Sequence, residues 1–183
     1  RGGVTADPGR ATGQTPLEVS TWVLRARPPA PMAPADAGFA RFCGRDDAGA
    51  LAEFNKVAEA GGSARFINPW RVWTLVRMGR SAEAAGIAQA SRQKTAKEQD
   101  WIDHVILFHV GDISGDELIN RVDRTDAKIQ TAQLCEARFF IAEHHLRRGK
   151  QQEAAAAYQQ ALATGQKELS AFRGASYALR KFQ

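Results

Sequence analysis

The sequence contains few residues of the types that bind metals or act as nucleophiles: four histidines and two cysteines, at His104, His109, His144, His145, Cys43 and Cys135. His104 and His109 are five residues apart, a spacing that does not place two ligands on one face of a helix. His144 and His145 are adjacent and point in different directions. No pair matches the spacing of a zinc site. The sequence therefore predicts no catalytic, cofactor or metal site, and we interpret the histidines as core or surface residues.

The two cysteines and one acidic stretch have simple structural interpretations. Cys43 and Cys135 are isolated and are read as buried thiols, with a disulfide or a reactive site as the alternative. The sequence Asp112-x-Ser114-x-Asp116 resembles the start of a calcium loop, but Glu117 stands where that loop needs glycine. We expect Ser114 to cap a helix instead, with Glu117 completing a capping box.

The residues discussed above are predicted to lie in helices, and these helices follow an N-terminal segment that is rich in proline. Six of the seven prolines lie between Pro8 and Pro34, where their density favours a poorly ordered segment over residues 1–38. Within it, residues 15–27 are apolar enough to dock weakly on the body. Residues 39–183 form one helical domain, and no stretch approaches the roughly 20 apolar residues of a membrane span.

Charge is unevenly distributed along the chain, whose net charge is +5. Residues 128–183 contain nine Lys/Arg against four Asp/Glu, whereas residues 98–126 contain eight acids and two arginines. An acidic middle and a basic end suggest complementarity within the fold or between two copies of the chain. The cations are not interleaved with aromatic residues, so the sequence does not favour nucleic acid as a partner.

An internal repeat is indicated by small residues that recur at a fixed offset. Ala50 and Ala84 are about 34 residues apart, and Ala154 follows about 70 residues later, close to two further periods. Gly79 and Gly149 fall where a left-handed residue would end the first helix of a pair. The offset predicts four helical pairs followed by a closing helix over residues 167–182.

At these positions the chain resembles the tetratricopeptide repeat family. The pattern of a small residue, an aromatic four residues on and a small residue three later is complete at Ala154, Tyr158 and Ala161. It recurs less completely at Ala50, Phe54 and Val57, at Ala84 and Ala88, and at Leu118. The resemblance implies an all-α, right-handed superhelix of antiparallel helix pairs with a concave face and a C-terminal capping helix.

A narrower resemblance concerns Asp100 to Gly111 and Leu134 to Phe140, which look like the C-terminal half of bacterial tetratricopeptide proteins related to envelope lipoprotein adaptors. Those adaptors scaffold cell-wall hydrolases and proteases. The residues before Cys43 lack the lipid-attachment motif. The resemblance leaves both the envelope or periplasm and the cytoplasm open as locations.

The function implied is a non-catalytic scaffold or adaptor that binds a peptide or protein on the concave face. Trp73, Arg77, Glu143 and Arg147 occupy first-helix positions that often face this groove in the family, although core packing and a solvated face are their alternatives. A second hypothesis makes the chain the regulatory or oligomerising C-terminal part of a longer enzyme, since it begins at Arg1 rather than methionine. Self-assembly through the acidic middle and the basic end is a third.

Overall fold

The computed structural model describes the backbone of residues 33–182 and the side chains of residues 35–61 and 65–182. Over these residues it has one 3-10 helix, Gly62–Ile67, and no β-strand. The α-helices are α1 (Ala33–Cys43), α2 (Asp47–Glu59), α3 (Asn68–Arg77), α4 (Ser81–Arg92), α5 (Trp101–Val110), α6 (Gly115–Asn120), α7 (Ala127–Arg147), α8 (Gln151–Ala163) and α9 (Ser170–Leu179). The predicted all-α class is therefore confirmed for this part of the chain. Residues 15–27, expected to dock on the body, lie outside it.

Four turns end their preceding helix in the same way and divide the chain into helix pairs. A left-handed residue stands in each turn, with φ of 65°, 75°, 86° and 74° at Arg45, Gly79, Gly111 and Gly149 respectively. In each case its N–H donates to the carbonyl three residues back, and the following N–H donates to the carbonyl five residues back. This Schellman motif satisfies the carbonyls at the helix end. The pairs are α1–α2, α3–α4, α5–α6 and α7–α8, with α9 last.

The second helices of three pairs bury the residues that suggested the repeat. Ala50, Ala84 and Ala154 are each at most 1% exposed, and such small residues allow neighbouring helix axes to approach closely. One and two turns later the buried positions are Phe54 and Val57 in α2, Ala88 and Ser91 in α4, and Tyr158 and Ala161 in α8. The third pair departs from this pattern because α6 has only six residues, around the buried Leu118.

The first helices of the pairs converge on the centre of the molecule. The Trp70 ring of α3 lies 5.2 Å from that of Phe42 in α1 and 4.9 Å from that of Phe140 in α7. From α5, His109 reaches Phe140 with centroids 4.5 Å apart. The first helix also contacts the last, α9. The face that the resemblance predicts to be concave is therefore closed around aromatic side chains.

The ends of the described chain differ slightly from the expectations. The first helix begins at Ala33 rather than near residue 39, because proline is tolerated in the first turn of a helix, where the N–H has no partner. The closing helix, predicted over residues 167–182, spans Ser170–Leu179; Leu169 just before it is buried, while Tyr177 is 36% exposed. No helix in the described range combines the length and apolar character that crossing a bilayer requires.

Candidate functional site

A buried carboxylate, Glu143 of α7, ties four elements together. It is 3% exposed, and its Oε2 accepts from Arg45 Nη1 at 3.0 Å, Arg77 Nη1 at 3.2 Å and Trp73 Nε1 at 3.3 Å. Its Oε1 accepts from the Tyr158 hydroxyl at 2.5 Å and from Arg45 Nη2 at 3.3 Å. A buried charge requires such partners, since an isolated one loses its hydration without compensation. The carboxylate thus joins α3, α7, α8 and the α1–α2 turn.

The cluster around Glu143 is electrically balanced. Arg77, whose side chain is 6% exposed, also pairs with Asp47 and donates to the Phe42 carbonyl at 3.3 Å. Two cations, Arg45 and Arg77, therefore face two carboxylates. Burial lowers the pKa of Arg77 to about 10, which leaves it protonated at neutral pH. The site contains matched charges and no free acid or base.

Three of the four residues predicted to line a concave groove are these interior residues. Trp73 is fully buried, and Arg77 and Glu143 are nearly so. The three side chains meet, and they face inward because the first helices converge. Arg147 is exposed, one turn beyond Glu143. Trp73, Arg77 and Glu143 therefore expose almost no surface to a partner. Partner binding through Arg147 stays a prediction.

Two histidines form a neutral pair beside this cluster. His109 Nδ1 and His144 Nε2 are 3.1 Å apart, and the His144 ring stacks on Trp73 with centroids 4.0 Å apart. Burial lowers the pKa of His109 well below its ordinary value and that of His144 to about 3. One ring nitrogen therefore donates to the other. The two residues are distant in the sequence, and no pattern indicated their contact.

A second buried carboxylate, Asp103 of α5, fastens the loop after α4. It accepts from Arg65 Nη2 at 2.6 Å, Ser91 Oγ at 2.7 Å, Lys94 Nζ at 2.8 Å and the Asp100 N–H at 3.0 Å. Burial alone would raise the pKa of Asp103, but these bonds hold it well below the usual range. Asp103 and Asp100 also form a capping box at the start of α5. This cluster has a structural role, because it holds the loop after α4 against the start of α5.

The predicted cap at Ser114 is formed, but only in part. Ser114 Oγ accepts from the Glu117 N–H at 3.1 Å, as expected for a helix cap. The capping box is not formed, because the Glu117 carboxylate accepts from Arg121 Nη2 at 2.6 Å instead. Arg121, one turn later in the chain, forms an ion pair with Glu117, and this pair holds the Glu117 side chain away from the start of the helix.

The cysteines are free thiols, Cys135 buried and Cys43 half-buried. Burial raises the pKa of both, to about 11 for Cys135, so they stay protonated at neutral pH. A reactive cysteine needs a lowered pKa. Among the described residues, no group of three or more His, Cys, Asp or Glu side chains is arranged to hold a metal ion.

An open groove on the outside of the molecule runs between α2 and α4 over α3, with an accessible volume of about 320 Å³. Leu51 and Leu75 form its floor and belong to a small apolar core beneath it, while Ile87 is half-buried at the side. We call it the outer groove. Its lining residues are Leu51, Asn55, Arg71, Leu75, Arg80, Glu83, Gly86 and Ile87.

Polar side chains border the outer groove on both sides. Arg71 Nε donates to Asn55 Oδ1 at 2.9 Å on one side, and Arg80 pairs with Glu83 at 2.6 Å on the other. The wall at Gly86 is open, because a Cβ added there would meet nothing within 4 Å. A glycine inside a helix is unfavourable by about 1 kcal/mol relative to alanine. A glycine at position 86, inside a predicted helix, is the one feature of the sequence that could have indicated this groove.

Comparison with known proteins adds no assignment. No protein-family model matches the chain, and no curated protein or solved structure matches it significantly.

Proposed function

We propose that this protein is a non-catalytic helical-repeat scaffold that binds a peptide segment of a partner protein in the outer groove. The observation that carries the proposal is the groove itself, which combines an apolar floor with cations and a carboxylate at its edges. Sites that bind specifically commonly pair an apolar lining with a few polar groups. Its accessible volume suits one or two side chains of an extended segment.

We further propose that the helix pairs are tetratricopeptide-like repeats. The shared Schellman turns and the recurrence of buried small residues at Ala50, Ala84 and Ala154 support it. In this proposal the array is short and tightly wound, so that its inner face is filled and partners bind outside. The outer groove lies between the second helices of two consecutive pairs, α2 and α4.

The non-catalytic assignment rests on how the polar side chains are used. Both oxygens of Glu143 and of Asp103 accept internal bonds, and His109 and His144 bond to each other. The cavity beside Glu143 has about 20 Å³ of accessible space, enough for about one water molecule. A substrate could not reach these groups without rearrangement of the helices.

Site-specific photo-crosslinking in the source cell would test the groove. A photoreactive amino acid at Glu83, on the groove edge, should capture a protein that mass spectrometry identifies and maps to one peptide segment. The matched control carries the same residue at Gln159, exposed on α8. Adducts that are absent at Glu83, or that are the same at both positions, would contradict the proposal.

A further inference from the structure

The C-terminal part of the chain carries cations that no described carboxylate neutralises. Nine Lys/Arg residues lie between positions 128 and 181. None of them is within 4 Å of a carboxylate in the described residues, whereas nine Lys/Arg residues earlier in the chain form such pairs. Glu136 and Glu143 are the first two acids in this part, and both are occupied by internal hydrogen bonds.

Five of these cations gather at one end of the molecule. Lys181 lines the same small cavity as Arg45 and Glu143, and Arg147 lies one turn beyond Glu143 on α7. The ends of α7 and α9 are therefore neighbours. We call their exposed cations the basic end: Arg147, Arg148, Lys150, Arg180 and Lys181.

The negative ends of the helix dipoles do not neutralise these five cations. Four helices, α1, α3, α7 and α9, end near this point with about half a negative charge each, whereas α2, α4 and α8 begin there with about half a positive charge each. Glu153, exposed in the first turn of α8, contributes one full negative charge. Arg45 and Arg77 are already balanced by Glu143 and Asp47. The half charges of the helix ends largely cancel, so the five cations outweigh Glu153 and leave this surface with a net positive charge.

The acidic middle of a second copy, residues 98–126, has little free acid to offer the basic end. Of the eight acids between positions 98 and 126, seven already accept internal hydrogen bonds: Glu98, Asp100, Asp103, Asp112, Glu117, Asp123 and Asp126. Four of these acids accept from Arg or Lys side chains. The basic end is therefore better matched by the carboxylates of a partner protein than by the acidic middle of a second copy.

Tyr177, one of two exposed aromatic residues near this end, contacts two of the cations; the other exposed aromatic residue is Phe182. Lys181 Nζ lies 4.6 Å from the centre of the Tyr177 ring, and the Arg180 guanidinium lies 5.9 Å from it. Such cation–π contacts limit the freedom of long side chains. The ring face is therefore occupied, and a nucleic-acid base would have to displace Lys181 before stacking on it. Because the Tyr177 ring is occupied in this way, carboxylates fit this part of the surface better than bases.

We propose that the basic end is a second interaction surface, which binds an acidic segment of a partner protein. The surface shares no residue with the outer groove, so either proposal can fail without the other. Binding of this kind is electrostatic and weakens as salt screens the charges.

The test uses the full-length protein and a fluorescein-labelled peptide of alternating glutamate and serine, with fluorescence anisotropy as the measurement. The variant Arg147→Glu/Lys181→Glu should lower affinity about tenfold. The matched control, Lys128→Glu/Lys167→Glu, makes the same change in net charge at exposed positions. Lys128 lies in the first turn of α7, about 28 Å along the helix from Arg147. The control should change affinity by less than about twofold.

Three results would overturn the proposal. Equal losses of affinity in both variants would show that only the net charge of the protein matters. No binding of the peptide by the parent protein would show that the basic end does not bind acidic segments. Tighter binding of a single-stranded oligonucleotide or of phosphatidylserine vesicles, dependent on Arg147 and Lys181, would assign the basic end to nucleic acid or membrane. Circular dichroism of both variants confirms that they are folded.

Discussion

Arg45 has the same left-handed backbone conformation as Gly79, which stands at the equivalent turn of the next helix pair. Left-handed geometry costs a residue with a Cβ about 1 kcal/mol, and glycine adopts it freely. The Arg45 guanidinium binds both oxygens of Glu143. We infer that arginine replaces glycine at this turn because its side chain reaches the buried carboxylate.

This explanation predicts an unusual order of stability at position 45. Arg45→Gly and Arg45→Ala both lose the bond to Glu143, but only glycine relieves the backbone strain. Arg45→Ala should therefore be less stable than Arg45→Gly by about 1 kcal/mol in urea unfolding. Equal stability, or a more stable alanine variant, would show that the turn is not left-handed in solution.

The buried pair of Glu143 and Arg77 should be strongly coupled. Glu143→Leu leaves the buried Arg77 guanidinium with Asp47 as its remaining carboxylate and removes the carboxylate partner of Arg45, which costs about 3 kcal/mol. Arg77→Met leaves Glu143 with Arg45 as its remaining cation and should have a similar cost. The double variant should cost less than the sum of the two, because the interaction between Glu143 and Arg77 is then lost only once. A double-mutant cycle of unfolding free energies measures this coupling. Additive losses would mean that the two side chains do not interact.

The histidine pair makes stability depend on pH. Unfolded histidines titrate near pH 6.5, whereas the folded pKa of His144 is about 3 and that of His109 is well below 6.5. The unfolded state therefore binds more protons in this range, and the unfolding free energy should fall as pH decreases from about 6.5 to about 3. The variant His109→Gln/His144→Gln should show a smaller slope between pH 6.5 and 4 in urea titrations. An unchanged slope would contradict the assigned burial of this pair.

Two helical glycines should respond oppositely to alanine. A Cβ at Gly174 would lie 2.8 Å from Phe139 Cε2, so Gly174→Ala should destabilise the protein by about 1–3 kcal/mol. At Gly86 the same change meets open space and should stabilise by about 0.5–1 kcal/mol. Thermal unfolding of the two variants compares them directly. A neutral Gly174→Ala would mean that α9 does not pack closely on α7.

The sequence allowed the local features to be predicted, because they depend on short spacings. The turns at Gly79 and Gly149 and the buried alanines follow from the recurring offset of small residues. Core packing was one of the two interpretations of Trp73, but the inward direction of Glu143 could not be predicted, because it depends on the convergence of helices distant in sequence and on the contact of α1 with α9. Periodicity identifies the face of a helix, but it does not show whether a neighbouring helix covers that face.

Predicting the outer groove would require both a local sequence feature and the arrangement of helices that are distant in sequence. Gly86 is a glycine in the middle of a helix without a turn to explain it, and that much is visible in the sequence. The groove itself is produced by the distance between α2 and α4, which no residue pattern contains. The His109–His144 contact was likewise hidden, because it joins two pairs of helices across the core.

The measurement that tests the scaffold proposal most directly is the affinity of the partner segment captured through Glu83, determined by isothermal titration calorimetry. Gly86→Leu fills the open wall of the outer groove without touching the core, and Ala156→Leu makes a comparable addition at an exposed position on α8. We expect Gly86→Leu to weaken binding at least about tenfold and Ala156→Leu to leave it within about twofold. Equal affinity of the parent protein and Gly86→Leu would show that the partner does not bind in this groove.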